Sequence, residues 1–255
     1  MISVVILTKN EEDYIVDCID SVSWCNEIVV VDDDSEDRTV EIVKNLKNEK
    51  IRVFVHPLDN DFSSQRNYGS KKARGEWALF VDADERITDE LKEEIKDVTY
   101  DYGRGQKLNG YFIKRRDVMW GKRLRHGETG NIKLLRLARK GVGEWEGKVH
   151  EVWKVRGKIG ILRNPLLHYP HQTITEFLKE INFYTDLRAQ ELFQKRTSVY
   201  WSSTIMYPLG KFLLSYFVKR GFLDGIEGFI FAILMSFHSF MARGKLWLLW
   251  NKRKE

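Results

Sequence analysis

Residues 76–85 read Glu-Trp-Ala-Leu-Phe-Val-Asp-Ala-Asp-Glu, an apolar run that ends in two aspartates one residue apart. The run 77–81 predicts a buried strand, and a glycine before it marks a break. Because residues two apart in an extended segment point the same way, the carboxylates of Asp82 and Asp84 face one point. Paired carboxylates suit Mg²⁺ or Mn²⁺, which take oxygen ligands and bridge diphosphates. The alternative is a solvated turn after a strand.

The first hundred residues alternate strand-like and helix-like segments. The pattern predicts strands at 2–7, 27–31, 51–56 and 76–81 and helices at 11–22, 36–46 and 63–74. Such alternation with short connections predicts βαβ units around a parallel sheet, whose ligands bind beyond the carboxyl ends of the strands. Polar clusters follow three of these strands, at Thr8-Lys9-Asn10, Asp32-Asp33-Asp34-Ser35 and Asp82-Ala83-Asp84. The sequence therefore predicts a binding site at that edge of the sheet.

The rest of the chain has a different character. Strand-like pieces at 110–113 and 132–137, separated by basic, glycine-rich turns, predict a mixed-sheet extension over the same edge. A long amphipathic helix is predicted at 173–196, and residues 199–250 are aromatic and apolar. We expect three parts, with boundaries at residues 1–100, 101–172 and 173–255.

Composition limits the class of protein. The 255 residues are 43% hydrophobic, enough for a sizeable core, and the formal net charge is +5. The positive excess lies in the C-terminal half, which favours a basic face toward phosphate or anionic lipid; an ordinary solvated surface is the alternative. We expect no nucleic acid polymer as a partner.

Cys18 and Cys25 fit neither a zinc pattern nor a disulfide scaffold, and the first apolar run is short for a signal peptide, so we expect a cytosolic location.

The apolar stretch at 229–241 bears on membrane association. It is shorter than the about 20 residues that a spanning helix needs, and His238 and Arg243 interrupt its end. Aromatic residues flanked by lysine and arginine favour a helix that lies in the membrane interface. The alternatives are a helical hairpin packed on the domain's own core, an oligomer contact and a true membrane span.

Four segments together resemble the inverting family 2 glycosyltransferases, which have the GT-A fold. They are VVILTKNE at 4–11, VVVDDDSEDRT at 29–39, SQRNYG at 64–69 and LFVDADE at 79–85, in the family's order and spacing. KVHE at 148–151 and LLHY at 166–169 resemble the subgroup that includes lipopolysaccharide-core β-glucosyltransferases.

The resemblance implies an α/β fold with a GT-A, Rossmann-like nucleotide-sugar-binding sheet, helices on both faces and a C-terminal helical, membrane-associating extension. Residues 1–100 would be the nucleotide-sugar-binding half, 101–172 the acceptor-binding and catalytic half, and 173–255 the extension. The chain lacks the Gln-x-x-Arg-Trp motif of processive synthases, which favours transfer of a single sugar.

The resemblance also implies the donor contacts. Uridine would lie near Thr8 and Asn10, and Asp32 or Asp33 would accept the N3 proton of uracil. Three consecutive aspartates leave that register open. Arg66 would reach the base or the phosphates as a fixed cation, or else be a surface arginine on its helix.

The metal site follows from the same resemblance. Asp82 would face the ribose, and Asp84 would bind Mg²⁺ or Mn²⁺, which neutralises the departing diphosphate. His168 is the candidate further ligand; the alternative is a packed histidine beside Tyr169.

An inverting transfer needs a base that removes the proton of the acceptor hydroxyl. The resemblance gives this role to Glu151, with His150 orienting it or contacting the acceptor. Glu144, Glu146 and Glu128 are the competing carboxylates.

These expectations define three hypotheses. The first is a metal-dependent inverting enzyme, peripheral on the cytosolic face of the inner membrane, which moves one hexose, glucose by resemblance, from a UDP-sugar to a lipid-linked saccharide such as lipopolysaccharide core. The second transfers to polyprenyl phosphate or to a protein. The third is a non-catalytic nucleotide-binding membrane module. The sequence makes no prediction of an oligomeric state.

Overall fold

The computed structural model of the chain describes residues 1–59, 61–100, 108–147 and 151–252. The chain divides into two units, Met1–Arg115 with Ile132–His168 and Arg116–Asn131 with Tyr169–Glu255. We call the first the sheet unit and the second the helical unit. Sequence analysis did not anticipate that residues 116–131 belong with the C-terminal helices.

Parallel strands begin the sheet unit, as the alternating pattern predicts. The strands are β1 (Ile2–Thr8), β2 (Glu27–Asp32), β3 (Ile51–Val55) and β4 (Trp77–Asp82), and the helices between them are α1 (Ile15–Val22), α2 (Thr39–Asn45) and α3 (Phe62–Lys72). The strand order is β3-β2-β1-β4, with all three pairings parallel. Thr8 pairs with Asp32, and Leu7 pairs with Asp82. The carboxyl ends of β1, β2 and β4 therefore lie side by side.

Antiparallel strands extend this sheet. The following elements are β5 (Glu85–Ile87), α4 (Asp89–Tyr100), β6 (Gly110–Met119), β7 (Lys122–Arg123), β8 (Lys133–Arg139), β9 (Gly143–Glu146), β10 (Val152–Val155) and β11 (Ile159–His168). The sheet continues from β4 through β8, β6 and β11 to β5, while β9 and β10 form a separate two-stranded ribbon. Strand β7 pairs with the end of β6, inside the helical unit.

Sequence analysis missed β11 because Pro165 lies inside it, and proline normally argues against a central strand. The partner strand β5 pairs only with the three residues Leu166, Leu167 and His168 that follow this proline. The missing N–H of Pro165 therefore falls outside the β5–β11 ladder.

Side chains of β1 alternate between two cores, so both faces of the sheet are covered. Val4 and Ile6 face α1 and α4, whereas Val5 and Leu7 face the side that carries α3 and the β9–β10 ribbon. Trp145 of this ribbon stacks on Trp153 with ring centroids 5.3 Å apart. The predicted arrangement, an α/β sheet with helices on both faces, is confirmed.

Long helices make up most of the helical unit. They are α5 (Ile174–Gln194), α6 (Trp201–Leu213) and α7 (Gly225–Lys252), with a π-helical segment Leu214–Val218 and a 3₁₀ turn Gly221–Asp224 between the last two. Their shared core contains Phe177 and Ile181 of α5 and Phe231 and Leu234 of α7.

The length of α7 corrects one expectation. Residues 229–241 were expected to be too short to span a membrane, yet the helical stretch Gly221–Asn251 covers 31 residues with a mean hydropathy of 1.5 in its most apolar 18-residue window. Among the described residues it is the one helix long and apolar enough to cross a membrane, and 28% of that window is buried in the protein. His238 and Arg243 lie within α7 and do not end the helix.

Close packing of α3 on the sheet generates a testable prediction. A Cβ atom on Gly69 would lie 2.4 Å from Cγ1 of Val5 and 3.1 Å from Cγ2 of Val31. We expect Gly69→Ala to lower the free energy of unfolding by about 1–3 kcal/mol, because the helix must move away from a close-packed core. Urea unfolding followed by circular dichroism measures the change. The control is Ser64→Ala at an exposed position of α3; equal effects of the two substitutions would contradict the packing argument.

Candidate active site

The predicted polar clusters meet at one edge of the sheet unit. Thr8 ends β1, Asp32 ends β2 and Asp82 ends β4, and the parallel register places these three strand ends next to one another. Asp84 follows two residues beyond β4, at the turn into β5. The prediction of a polar site at the carboxyl ends of the strands agrees with this geometry.

Two arginines hold Asp82. The guanidinium of Arg136, on β8, donates to both carboxylate oxygens of Asp82, and Arg66, on α3, lies 3.1 Å from Oδ1. Arg136 also donates to Oε1 of Glu85 at 3.1 Å, and the backbone N–H of Asp82 donates to Oε2 of Glu85 at 2.9 Å. Burial opposes the charge on Asp82, but the positive charges of Arg136 and Arg66 outweigh it and hold the pKa of that carboxyl well below its usual range.

Neither Arg136 nor Glu85 was assigned a role by sequence analysis. Glu85 is fully buried, and burial raises its pKa although Arg136 acts in the opposite direction. A charged residue inside the apolar run 134–137 is the signal that could have found Arg136, since arginine is seldom buried without a partner.

Asp84 and His168 form the part of the site suited to a metal ion. Nε2 of His168 lies 3.1 Å from Oδ2 of Asp84, because the β5–β11 ladder pairs His168 with Glu85. In the described ranges, no group of three or more His, Cys, Asp or Glu side chains is arranged to hold a metal ion. Mg²⁺ commonly takes only one or two protein carboxylates, with water and substrate phosphates completing its shell. The donor set fits an ion whose remaining ligands come from a substrate.

Negative potential around Asp84 extends to Glu11. The pKa of Glu11 is raised to about 8, first because the side chain is largely buried and then because Asp84 and Asp82 repel its charge. Arg86 counteracts this effect only in part. Glu11 ends the motif at 4–11, yet sequence analysis gave it no role.

Glu151 contacts the same network through Arg66. Nε of Arg66 donates to Oε1 of Glu151 at 2.8 Å, and the guanidinium lies 4.7 Å from the ring centroid of Trp145. Nη1 of Arg66 is buried and has no hydrogen-bond partner within the described part of the chain. The ion pair brings two predicted site residues together and fixes one oxygen of the candidate base.

The other candidates for the base lie elsewhere or outside the described residues. His150, predicted to orient the base, lies outside the described residues. Glu146 forms a salt bridge of 2.6 Å with Lys154 in the ribbon. Glu128 belongs to the helical unit, where its carboxylate lies 2.6 Å from Nζ of Lys211.

Both aspartates considered for the uracil contact are engaged within the protein. Asp32 accepts hydrogen bonds from the backbone N–H of Ser35 at 2.8 Å and from its hydroxyl at 2.6 Å. Asp33 contacts Nζ of Lys9 at 2.9 Å and accepts the backbone N–H of Leu58. The choice between Asp32 and Asp33 stays open.

Thr8 and Asn10 take different places at this edge. Oγ1 of Thr8 is buried without a hydrogen-bond partner among the described residues, so it can contact a ligand. Asn10 adopts a left-handed conformation (φ 55°) and accepts the backbone N–H of Glu36 through its side-chain oxygen at 2.8 Å. Asparagine tolerates this conformation better than most residues, which accounts for its position in the turn.

The fold and the polar edge together define an α/β protein with a candidate ligand site at the strand ends. Comparison with protein families gives the particular class. The family model described as glycosyl transferase family 2 matches residues 3–145, more than half of the 255-residue chain, and the protein belongs to this family. It is a glycosyltransferase, as the motifs at 4–11, 29–39, 64–69 and 79–85 predicted, and the expected GT-A fold class is confirmed.

Sequence similarity to other proteins extends over nearly the whole chain. An uncharacterised glycosyltransferase of Rickettsia typhi is 29% identical, with 96% of this chain and 86% of the relative aligned. The lipopolysaccharide core biosynthesis glycosyltransferase LpsC of Rhizobium meliloti is 28% identical over 96% of this chain and 92% of its own length. Among solved structures, TarS of Staphylococcus aureus (residues 1–349) is 17% identical with a TM-score of 0.49, over 96% of this chain and 89% of that one.

The buried arginine generates a stability prediction. Arg136→Met leaves Asp82 and Glu85 without their main cation, and breaking a buried ion pair on one side costs about 3–5 kcal/mol. Urea unfolding at pH 7 measures this loss. The loss should shrink below about pH 4, because Asp82 has a lowered pKa in the folded state and its contribution disappears as it becomes protonated. Lys133→Met, at an exposed position of the same strand, is the control; a loss no larger than the control's would contradict the network's role.

The raised pKa of Glu11 generates a prediction in which stability depends on pH in the opposite direction. A carboxyl group with a raised folded-state pKa favours folding at low pH, and this contribution is lost as the pH rises through about 8. We therefore expect Glu11→Gln to be more stable than the wild type at pH 9 and nearly equal to it at pH 5. Urea unfolding in the presence of EDTA tests this. Glu41→Gln, exposed on α2, controls for the removed charge; the same pH dependence in both variants would contradict the argument.

Proposed function

We propose that the protein is a metal-dependent inverting transferase that moves a single hexose, glucose in the first instance, from a UDP-sugar to a lipid-linked saccharide such as lipopolysaccharide core. The observation that carries this proposal is the placement of Asp84 with His168 beside the Arg66–Glu151 ion pair, all at the strand ends of the sheet unit. The similarity to LpsC over almost all of both chains supports the acceptor class.

The donor would bind across the ends of β1, β2 and β4. Thr8 and Asn10 would line the uridine subsite, with Asp32 or Asp33 accepting the N3 proton, and Asp82 would face the ribose. The free Nη1 of Arg66 supplies a charged hydrogen-bond donor for a phosphate or the base.

Asp84 and His168 would hold the divalent cation. Bound there, Mg²⁺ or Mn²⁺ would supply charge neutralisation for the departing diphosphate. The lowered pKa of Asp82 keeps that carboxylate ionised at neutral pH, although its charge is already balanced by Arg136 and Arg66. The net negative charge available to a cation therefore lies at Asp84.

Glu151 would act as the base. In an inverting displacement the acceptor hydroxyl attacks the anomeric carbon from the face opposite the leaving diphosphate, and its proton must pass to a nearby group. The hydrogen bond from Arg66 to Oε1 supports this role, because it orients the carboxylate and would leave its other oxygen to accept the proton. His150 would assist by orientation or by contact with the acceptor.

A lipid-linked acceptor would require the enzyme to work at a membrane surface. The helical unit exposes large apolar side chains on all three helices, including Phe183 at 58%, Trp201 at 77% and Trp247 at 46%. Such side chains suit the interfacial layer of a bilayer. We infer a peripheral location on the cytosolic face of the inner membrane.

Transfer assays test the function. The purified full chain is incubated with Mn²⁺ and UDP-glucose, UDP-galactose or UDP-N-acetylglucosamine, and with lipopolysaccharide core extract, polyprenyl phosphate or an acceptor peptide. We expect UDP release to depend on the core extract. Transfer only to polyprenyl phosphate or only to the peptide would replace the acceptor proposal, and nucleotide binding without any transfer would support the non-catalytic alternative.

Variants test the assigned roles. Glu151→Gln should lower kcat by about 10²–10⁴-fold, while UDP-sugar affinity changes little, because only proton removal is lost. Asp84→Asn should abolish the Mn²⁺-dependent rise in melting temperature with UDP and lower transfer in parallel. Glu144→Gln in the neighbouring ribbon is the matched control and should transfer like the wild type. Unimpaired transfer by Glu151→Gln would assign the base to another residue.

A further inference from the structure

A cavity of about 550 Å³ lies inside the helical unit, between α5, α6 and α7. Its volume is in the range of small-molecule sites. Three cationic side chains line it, one from each helix: Arg188 of α5, Lys211 of α6 and Arg243 of α7. The glycosyltransferase site in the sheet unit uses none of them.

The three cations differ in how their charges are balanced. Arg188 forms a salt bridge with Glu191 at 2.5 Å, and Lys211 forms one with Glu128 at 2.6 Å. Arg243 has no carboxylate partner within the described ranges; its guanidinium lies 3.3 Å from the ring centroid of Tyr207, and its Nε is buried without a hydrogen-bond acceptor. Arg188 is close enough to add to the positive potential at Arg243. The cavity therefore has one unbalanced cation and an unsatisfied donor.

Besides His238 and Ser239, the remaining wall of the cavity is largely apolar, and it continues to the protein surface. Leu192, Met206, Leu214 and Ala242 line it. Met206 is 62% exposed and Leu214 41% exposed, so these two residues belong both to the cavity and to the surface. An occupant that satisfies both parts needs a negative group at one end and a hydrocarbon chain at the other.

We propose that this cavity binds an anionic membrane phospholipid, with its phosphate at Arg243 and one acyl chain along Met206 and Leu214. Charge complementarity argues for a phosphate, because its oxygens accept hydrogen bonds from several guanidinium N–H groups at once. The exposed apolar rim argues for a lipid rather than a soluble phosphate. The proposal goes beyond the glycosyl transfer reaction and concerns a separate site, so it stands whether or not the proposed acceptor is correct.

Filling the cavity tests the proposal without changing any charge. Gly210 of α6 lines the cavity, and a Cβ atom there would meet no atom within 4 Å. Replacing a helical glycine also favours the helix, so Gly210→Phe should fold. The probe is dihexanoyl phosphatidic acid below its micelle concentration, with binding measured by calorimetry. We expect Gly210→Phe to weaken binding at least tenfold, and Gly210→Ala, the matched control, to bind like the wild type.

Removing a charge tests the phosphate contact. Arg243→Gln should weaken phosphatidic acid binding about tenfold or more, since a charge-assisted hydrogen bond to phosphate is lost. Lys179→Gln removes one positive charge from an exposed position of α5 away from the cavity and should leave affinity unchanged. An equal loss in both variants would mean that only the overall charge matters and would overturn the site.

Two further probes test whether binding requires both the anionic headgroup and the acyl chain. Dihexanoyl phosphatidylcholine should bind at least tenfold more weakly than phosphatidic acid, and inorganic phosphate should show no saturable binding. Equal binding of phosphatidylcholine would overturn the role of the anionic headgroup, and tight binding of inorganic phosphate would overturn the role of the chain. The response of the full chain's melting temperature to Mn²⁺ and UDP should be the same in Gly210→Phe as in the wild type, which distinguishes loss of this site from loss of the nucleotide-sugar site.

Discussion

The charge network at the end of β4 is the interaction on which the candidate active site depends. Arg136 binds Asp82 and Glu85, and Arg66 binds Asp82 and Glu151. The five side chains belong to β4, β5, β8, α3 and the residue before β10, so their pairing fixes these parts of the chain relative to one another. A misplaced segment would leave a buried charge unpaired, which costs several kcal/mol. The network therefore specifies the geometry of the strand ends as well as their charge.

This network separates the roles of two aspartates that the sequence presents as a pair. Asp82 is balanced by two guanidinium groups and contributes little free negative charge. Asp84 lies in the turn after β4, and its carboxylate is 3.1 Å from Nε2 of His168. The alternation that directs both side chains toward the sheet edge is local, whereas the difference in their charge balance comes from Arg66 and Arg136, which are distant in sequence.

That contrast explains which parts of the structure could be predicted. The parallel strands follow from continuous β-branched runs, and the polar edge follows from where those runs end, so Thr8, Asp32 and Asp82 could be placed together from sequence alone. Arg136 could not be paired with Asp82, because the two lie 54 positions apart in the sequence and no periodic signal predicts a contact across the sheet. The strand β11 was missed for a related reason. The N–H that its proline lacks matters only where a neighbouring strand would accept a hydrogen bond from it, and the tertiary structure decides where that is.

The electrostatic imbalance of the site is a reason to expect a cation at Asp84 rather than at Asp82. Arg66 and Arg136 form ion pairs with the carboxyl groups on the side of the edge that holds Asp82, Glu85 and Glu151. On the other side, burial first and repulsion by Asp84 and Asp82 second raise the pKa of Glu11 to about 8. A buried carboxyl group that stays protonated at neutral pH indicates a local excess of negative potential. At the proposed metal site, a divalent cation beside Asp84 would reduce that excess and favour ionisation of Glu11, so binding of the ion would be linked to the ionisation of Glu11.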